Sequence, residues 1–379
     1  MTATLPAGGT PLVGYWGTDS SQHVDFIGVD KHVHELYIAP GAGGWVDHDL
    51  TALSGAVASP ALGSVLDGYW GSDSSQHVNF IGTDGHVHEL YIAPGSAGWV
   101  DNDLTALAGA VAPAEFTSLD GYWGGDSSQH VNFIAANNHV HELYIAPGSG
   151  GWVDNDLTKL AGAVAPAVGT SLYSYWGSDN SQHVNFVGVD LHVHQLYIAS
   201  DSGGWVDHDL TKLAEAVAPV LQRGLGGLTG YWFSDNSQHV NFIGVDLHVH
   251  ELYRAPGATA WVDNDLTKLA GAVAPVDNTT LDSYWGSDNS QHVNFIGVDA
   301  HLHELYSAPD TAGWVDNDLT KVAGGVLPSV VTELDGYWGS DNSQHVNFIA
   351  PGDADAHVHE LYIALGAAGW VDNDLTALA

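Results

Sequence analysis

A seven-fold repetition constrains this chain more than any other property. The pair Tyr-Trp begins at Tyr15, Tyr69, Tyr122, Tyr175, Tyr231, Tyr284 and Tyr337, giving periods of 54, 53, 53, 56, 53 and 53 residues. Each pair is followed, with few changes, by Gln-His-Val-Asn-Phe, His-Val-His-Glu-Leu-Tyr and Trp-Val-Asp-Asn-Asp-Leu-Thr. A repeat of this size is a single supersecondary unit that buries its apolar face only by stacking on a neighbour. The 379 residues are therefore expected to form one domain of seven repeats, at about 12–65, 66–118, 119–171, 172–227, 228–280, 281–333 and 334–379. Any site built from shared residues then occurs up to seven times, which suits multivalent recognition better than a single catalytic centre.

Within the second block, Gln76-His77-Val78-Asn79-Phe80-Ile81 alternates in residue type and is rich in β-formers, so it predicts a strand. Thr83-Asp84-Gly85 predicts a hairpin turn into a partner strand, His86 to Ile92. Pro94 to Gly98 predicts a second turn, and Trp99-Val100-Asp101 opens a further strand. With the leading Leu-Asp-Gly-Tyr-Trp segment this makes four antiparallel strands per block. Four strands repeated seven times predict an all-β fold, a seven-bladed β-propeller. Asp103 to Ala108 reads alternatively as a short helical turn capped by Asp103. The phase of blades against blocks is open: the blades either coincide with the blocks, or one blade combines strands from both ends of the chain.

Composition narrows the partners. Only 7 Lys and Arg oppose 45 Asp and Glu, a formal charge of −38, and such a surface repels phosphates and anionic lipids. Nucleic acid is therefore not expected as a partner, nor is membrane insertion, since no stretch approaches the roughly 20 apolar residues of a spanning helix. The absence of Cys excludes disulfides and thiolate chemistry. Met1 to Gly9 shows neither a basic segment nor a long apolar run, so the expectation is a soluble protein, cytoplasmic or secreted without a signal peptide. The sequon at Asn278 is a short pattern of little weight.

Three features carry chemistry. The aromatics, Trp16, Tyr37 and Trp45 with their counterparts, either wedge between blades or line clefts where a ring face can stack on a sugar. Of the 23 His, 21 fall three to a block, as His23, His32 and His34 do in the first; His48 and His208 are the other two. Two imidazoles on one strand face invite a zinc or nickel site. Fixed hydrogen bonding between strands is the favoured reading, and neither metal nor cofactor is expected. Glu35 recurs as Glu89, Glu142, Glu251, Glu304 and Glu360, with Gln195 in the fourth block. A carboxylate beside aromatics suits an acceptor for sugar hydroxyls. No Gly-x-Ser-x-Gly, phosphate-cradling loop or Cys nucleophile is present, so no enzyme is expected. The Asp-Asn-Asp runs lack the Gly and distal Glu of a calcium loop and read as turns or caps.

The order of elements His77-Val78-Asn79-Phe80, Asp84-Gly85, Val87-His88-Glu89 and Gly98-Trp99 resembles that of the fucose-binding β-propeller lectins, both the fungal fruit-body type and their tryptophan-rich bacterial relatives. The resemblance implies sugar pockets between blades, contacted by an Arg, a Glu and aromatic residues. Carried onto this chain, Glu89 matches the Glu, Trp99 or Tyr91 an aromatic wall, and His77 stands where the family has Arg. His offers at most two donors and loses its charge near neutrality, which puts fucose specificity in question and makes binding pH dependent. The candidate sugar-binding residues are His23, Glu35, Tyr37 and Trp45; His77, Glu89, Tyr91 and Trp99; His130, Glu142, Tyr144 and Trp152; His183, Gln195, Tyr197 and Trp205; His239, Glu251, Tyr253 and Trp261; His292, Glu304, Tyr306 and Trp314; and His345, Glu360, Tyr362 and Trp370.

The expected function is a multivalent carbohydrate-binding lectin for glycans, fucose or a related monosaccharide unit among them. The alternative is a non-catalytic propeller scaffold for protein partners. Differences between blocks are confined to a few places: Ala135 to Asn138, the enlarged turn Gly352 to Ala356, and the singular Phe233 and Arg254. Pockets of the third, fourth, fifth and seventh blocks are thus the ones expected to differ.

Overall fold

Alternation of side chains along short strands, with a turn after each, folds every block into one twisted sheet. The structure is a computed structural model that describes residues 3–199, 202–221, 227–351 and 355–379. In the first block β1 (Leu12–Trp16), β2 (Gln22–Ile27), β3 (Val33–Ile38) and β4 (Val46–Asp49) pair antiparallel in chain order, and α1 (Leu50–Ser54) follows. The second block repeats this with β5 (Leu66–Trp70), β6 (Gln76–Ile81), β7 (Val87–Ile92), β8 (Val100–Asp103) and α2 (Leu104–Ala108). Seven such four-stranded sheets stand in a ring, a seven-bladed β-propeller.

Both alternatives left open by the sequence are decided. Each sheet is built from the strands of a single block, so no blade mixes the two ends of the chain. The block tail is a capped helical turn: the Asp103 side chain accepts from the Ala106 N–H, and Gly109 closes the other end in the left-handed conformation at φ 62°. The turn Gly352 to Ala354 lies outside the described residues.

Alternation sends successive side chains of a strand to neighbouring blades. From β6, Gln76, Val78 and Phe80 face blade 1, while His77 and Asn79 face blade 3. Phe80 is fully buried in a cluster with Ile27, Val33 and Leu50 of blade 1 and Leu66, Val78 and Leu90 of its own blade. The same cluster recurs at every junction, including that between blade 7 and blade 1, where Leu375 and Val358 meet Leu12, Val24 and Phe26. Near the axis the innermost strands approach closely. A Cβ on Gly68 would lie 2.6 Å from the Tyr15 ring, so a side chain here would force that ring to shift. Glu333 accepts from the Leu12 N–H at 3.2 Å and Trp16 donates to Ser340 at 2.9 Å, which closes the ring through side chains rather than a shared strand.

Candidate functional site: the clefts between blades

The alternation that builds the core also builds a cleft farther out. On the forward face of blade 1, Tyr15, His23 and Tyr37 are cross-strand neighbours. His23 stacks on Tyr15 with ring centres 5.1 Å apart and lies 5.1 Å from Tyr37 and 5.2 Å from Trp70 of blade 2. The cleft above is about 510 Å³ and is lined by Asp19, Glu35, Tyr37 and His48 of blade 1 and by Trp70, Ser74, Gln76, the turn from Ile92 to Ser96 and Trp99 of blade 2. Comparable clefts of about 250 Å³ and 480 Å³ lie between blades 6 and 7 and between blades 7 and 1. Their size is that of sites for small ligands.

The polar groups beneath the cleft form a closed network. His23 Nδ1 bonds Glu35 Oε1 at 2.7 Å and its Nε2 bonds Ser21 Oγ at 2.6 Å. Gln76 donates its amide to the Tyr15 hydroxyl at 2.7 Å and to Glu35 Oε1. The other oxygen, Glu35 Oε2, accepts from His48 at 3.1 Å. In blades 2, 3, 5, 6 and 7 an Asn plays the part of His48, as Asn102 does for Glu89 at 2.9 Å. Burial alone would raise the Glu35 carboxyl, but the hydrogen bonds from His23, His48 and Gln76 outweigh it and hold the pKa at about 2. A buried carboxylate is tolerable only with partners of this kind.

This geometry regroups the candidates. His23 and Glu35 are each about 2% exposed with their nitrogens and oxygens engaged, and their counterparts in every block are equally buried. They form the floor of the cleft, whereas Tyr37 and Trp99 are half-buried and form its walls. The aromatic partner of Tyr37 also comes from the next block. Trp99 packs on the apolar cluster between blades 1 and 2, and Trp152, Trp205, Trp261, Trp314 and Trp370 do likewise at the following junctions. Trp45 belongs to the cluster with Leu375 of blade 7, so it joins Tyr362 rather than Tyr37. The sequence reading gave no role to Gln76, Tyr15 or Ser74. The recurrence of Gln one residue before His, hence on the opposite strand face, was the available signal.

Two clefts depart from the pattern. In blade 4 Gln195 replaces the Glu and bonds the Tyr175 hydroxyl at 3.2 Å and Asn185 at 3.1 Å, leaving His183 Nδ1 without a partner. Burial then pushes the His183 pKa down to about 3. Arg254 of blade 5, at the position of Ile92, lies 5.5 Å over the Trp261 ring, and its charge further depresses His183 and His208. Between blades 5 and 6, Phe233 occupies the position of a glycine in the other blocks. It takes the place beside His239 that Trp70 takes beside His23, at 5.8 Å, and Trp285 packs edge-on against it.

A different cavity, about 280 Å³, runs along the axis and is lined by Asp67, Asp120, Asp282, Glu333 and Asp335 among others. Burial pushes the Asp67 carboxyl up to about 6 and those of Asp282 and Glu333 up to about 7.

No family model and no curated protein matches the sequence. The fold is shared with solved β-propeller lectins. One from Burkholderia pseudomallei is 11% identical over 98% of this chain and 100% of its own, with a TM-score of 0.63. The Aleuria aurantia lectin, described as a six-bladed propeller with a novel fucose recognition mode, is 14% identical over 98% of this chain and 96% of its own, with a TM-score of 0.57. A point variant of that lectin in complex with α-methyl-L-fucoside is 15% identical over 83% of this chain and 96% of its own, at 0.55. At these identities the likeness establishes the propeller architecture, here with seven blades. Among the described residues no helix is long and apolar enough to cross a membrane.

Proposed function

We propose that this protein is a non-catalytic, multivalent carbohydrate-binding protein that holds sugar in the clefts between its blades. The observation that carries the reading is the cleft itself, in which Tyr37 of one blade and Trp99 of the next flank a rigid polar floor of Glu35, His23 and Gln76. Aromatic faces stack on the apolar face of a pyranose, and polar groups at the rim, Asp19 and Ser74, bond its hydroxyls. Glu35 and His23 act here by fixing the walls rather than by contacting ligand. The solved neighbours are lectins, one of them in complex with α-methyl-L-fucoside, which supports the same reading and puts fucose among the sugars to test first.

Clefts 4/5 and 5/6 carry Gln195, Arg254 and Phe233, so the other five are the equivalent sites. Each site is weak alone, and a ring of them gains avidity on a glycan-coated surface. The test is a glycan array with the labelled full chain, followed by calorimetry with the best monosaccharide. Selective binding near five sites per chain supports the proposal. Silence on the array, with capture of a defined protein partner instead, would replace it by the scaffold reading.

A further inference from the structure

On the opposite strand face, several repeats assemble a second constellation that the clefts do not use. In blade 1 it comprises Asp30 in the β2–β3 turn, His32 and His34 at the start of β3, and Asp49, the cap of α1. One donor atom from each of the four lies within 4.8 Å of all the others. The same complete set recurs in blades 4, 5 and 6.

The arrangement places one buried imidazole between two carboxylates, more than its neutral form satisfies. His34, whose side chain is 4% exposed, directs Nδ1 to Asp47 Oδ1 at 2.8 Å, as a donor to a carboxylate. A neutral imidazole then has only a lone pair on Nε2. That lone pair faces the Asp30 carboxylate, both of whose oxygens are 3.2 Å away. Two carboxylates thus converge on one buried imidazole, and positive charge at Nε2, either a second proton or a metal ion, satisfies both. Blade 3 supplies the internal control. There Asn137 stands in place of Asp30 and its amide lies 3.0 Å from His141 Nε2, while Nδ1 keeps its carboxylate, Asp154, at 2.7 Å. Where the carboxylate is missing, an N–H donor fills the same contact.

The spacing suits a metal ion. Tetrahedral zinc, with bonds of about 2.1 Å, sets its ligands roughly 3.4 Å apart, and His34 Nε2 and Asp30 are separated by 3.2 Å. His32 Nδ1 and Asp49 Oδ2, hydrogen-bonded at 2.8 Å, would open by about 0.6 Å to form the other edge, and Asp49 Oδ1 is already committed to the Ala52 N–H. The Asp47···His34 contact is the carboxylate–imidazole pair that orients a metal-binding histidine.

We propose that each complete Asp-His-His-Asp set binds one borderline divalent transition-metal ion of the zinc class through Asp30, His32 Nδ1, His34 Nε2 and Asp49 or their counterparts. The ion staples the β2–β3 turn to the first turn of the helix in each blade that carries the complete set. A proton on the imidazole is the competitor for the same place. Zinc uptake therefore displaces protons and weakens in acid.

The experiment uses the untagged full chain, stripped with chelator, desalted and titrated with zinc chloride by calorimetry at about pH 7.5, with metal content read by mass spectrometry. The expected result is at least four zinc equivalents per chain, one for each complete set. The paired variant carries Asp30→Asn, Asp84→Asn, Asp190→Asn, Asp246→Asn and Asp299→Asn. It copies what blade 3 carries naturally, so it should fold, and it should lose that zinc. X-ray absorption of the loaded protein gives an independent reading, with imidazole scattering in a nitrogen and oxygen shell expected. Uptake below one equivalent, undiminished uptake by the folded variant, or a shell without imidazole overturns the proposal.

Discussion

The Gln76 amide of blade 2 donates into the carboxylate of Glu35 in blade 1, and the same nitrogen lies 2.7 Å from the Tyr15 hydroxyl. This contact binds two repeats through buried polar groups at the junction between blades. It recurs from Gln129 to Glu89 and, across the ring closure, from Gln22 to Glu360. Gln76→Ala deprives a buried carboxylate and a buried phenol of their shared donor, a loss of roughly 1.5–3 kcal/mol. Urea unfolding should show a lower midpoint, and a midpoint within error of wild type would contradict the role given to the contact.

The regrouping of walls across block boundaries has a stoichiometric consequence for the proposed sugar sites. Tyr37→Ala with Trp99→Ala strips both walls of one cleft and should remove one site. Tyr37→Ala with Trp45→Ala strips walls of two different clefts and should remove two. Calorimetry with a binding monosaccharide distinguishes the cases, and equal losses from both pairs would show the regrouping to be wrong.

Blade 4 offers a repair. Gln195→Glu returns an acceptor to His183 Nδ1, which in blade 1 has its counterpart bond at 2.7 Å. It also places a negative charge near Arg254. The variant should be more stable by about 1 kcal/mol at neutral pH, and the imidazole of His183 should titrate above its present value of about 3. A lowered melting temperature would refute this.

Stability should increase on mild acidification. Asp67, Asp282 and Glu333, raised by burial to about 6 and 7, bind protons in the folded state that the unfolded chain releases, so their contribution is present in acid and lost as pH rises through those values. His34, His88, His194, His250 and His303 act with the same sign, because their Asp partners outweigh burial and raise them. Opposing them, Glu35 loses its contribution as pH falls from the ordinary Glu value toward 2, and His183 loses its own between the ordinary His value and about 3. Above about pH 5.5 only His183 and His208 oppose the raised groups, whereas the lowered Asp30, Asp47 and their counterparts lose their contributions in stronger acid, so the melting temperature should climb from about pH 8 to about pH 5.5 and drop below about pH 4. Calorimetric scans of metal-free protein across that range provide the check, and a steady fall from the alkaline side would exclude the assignment.

The buried phenylalanines report the core. Phe80→Ala empties a fully buried position between two blades and should cost about 3–5 kcal/mol. Because each repeat is stabilised by its neighbours, the loss should appear as early opening of blades 1 and 2 in hydrogen exchange. Uniform protection across all blades would argue against that local response.

Repetition and strand alternation in the sequence by themselves determined the number of blades, the four strands of each and the position of the hairpin turns. These are local properties, set by side-chain period and turn chemistry. Tertiary structure alone decided which residues share a cleft. A face of one blade meets the opposite face of the next, so Tyr37 acquires Trp99 instead of the nearer Trp45. It also decided that His23 and Glu35 lie beneath the cleft. Whether a polar side chain faces ligand or bonds its neighbours depends on what packs above it, and here Gln76, Trp70 and His48 converge from distant parts of the chain. The Asp30 and His34 juxtaposition is of the same origin: two residues in one short turn were visible, but the convergence of two carboxylates on one imidazole arises only once Asp47, from the outer strand, claims the other nitrogen.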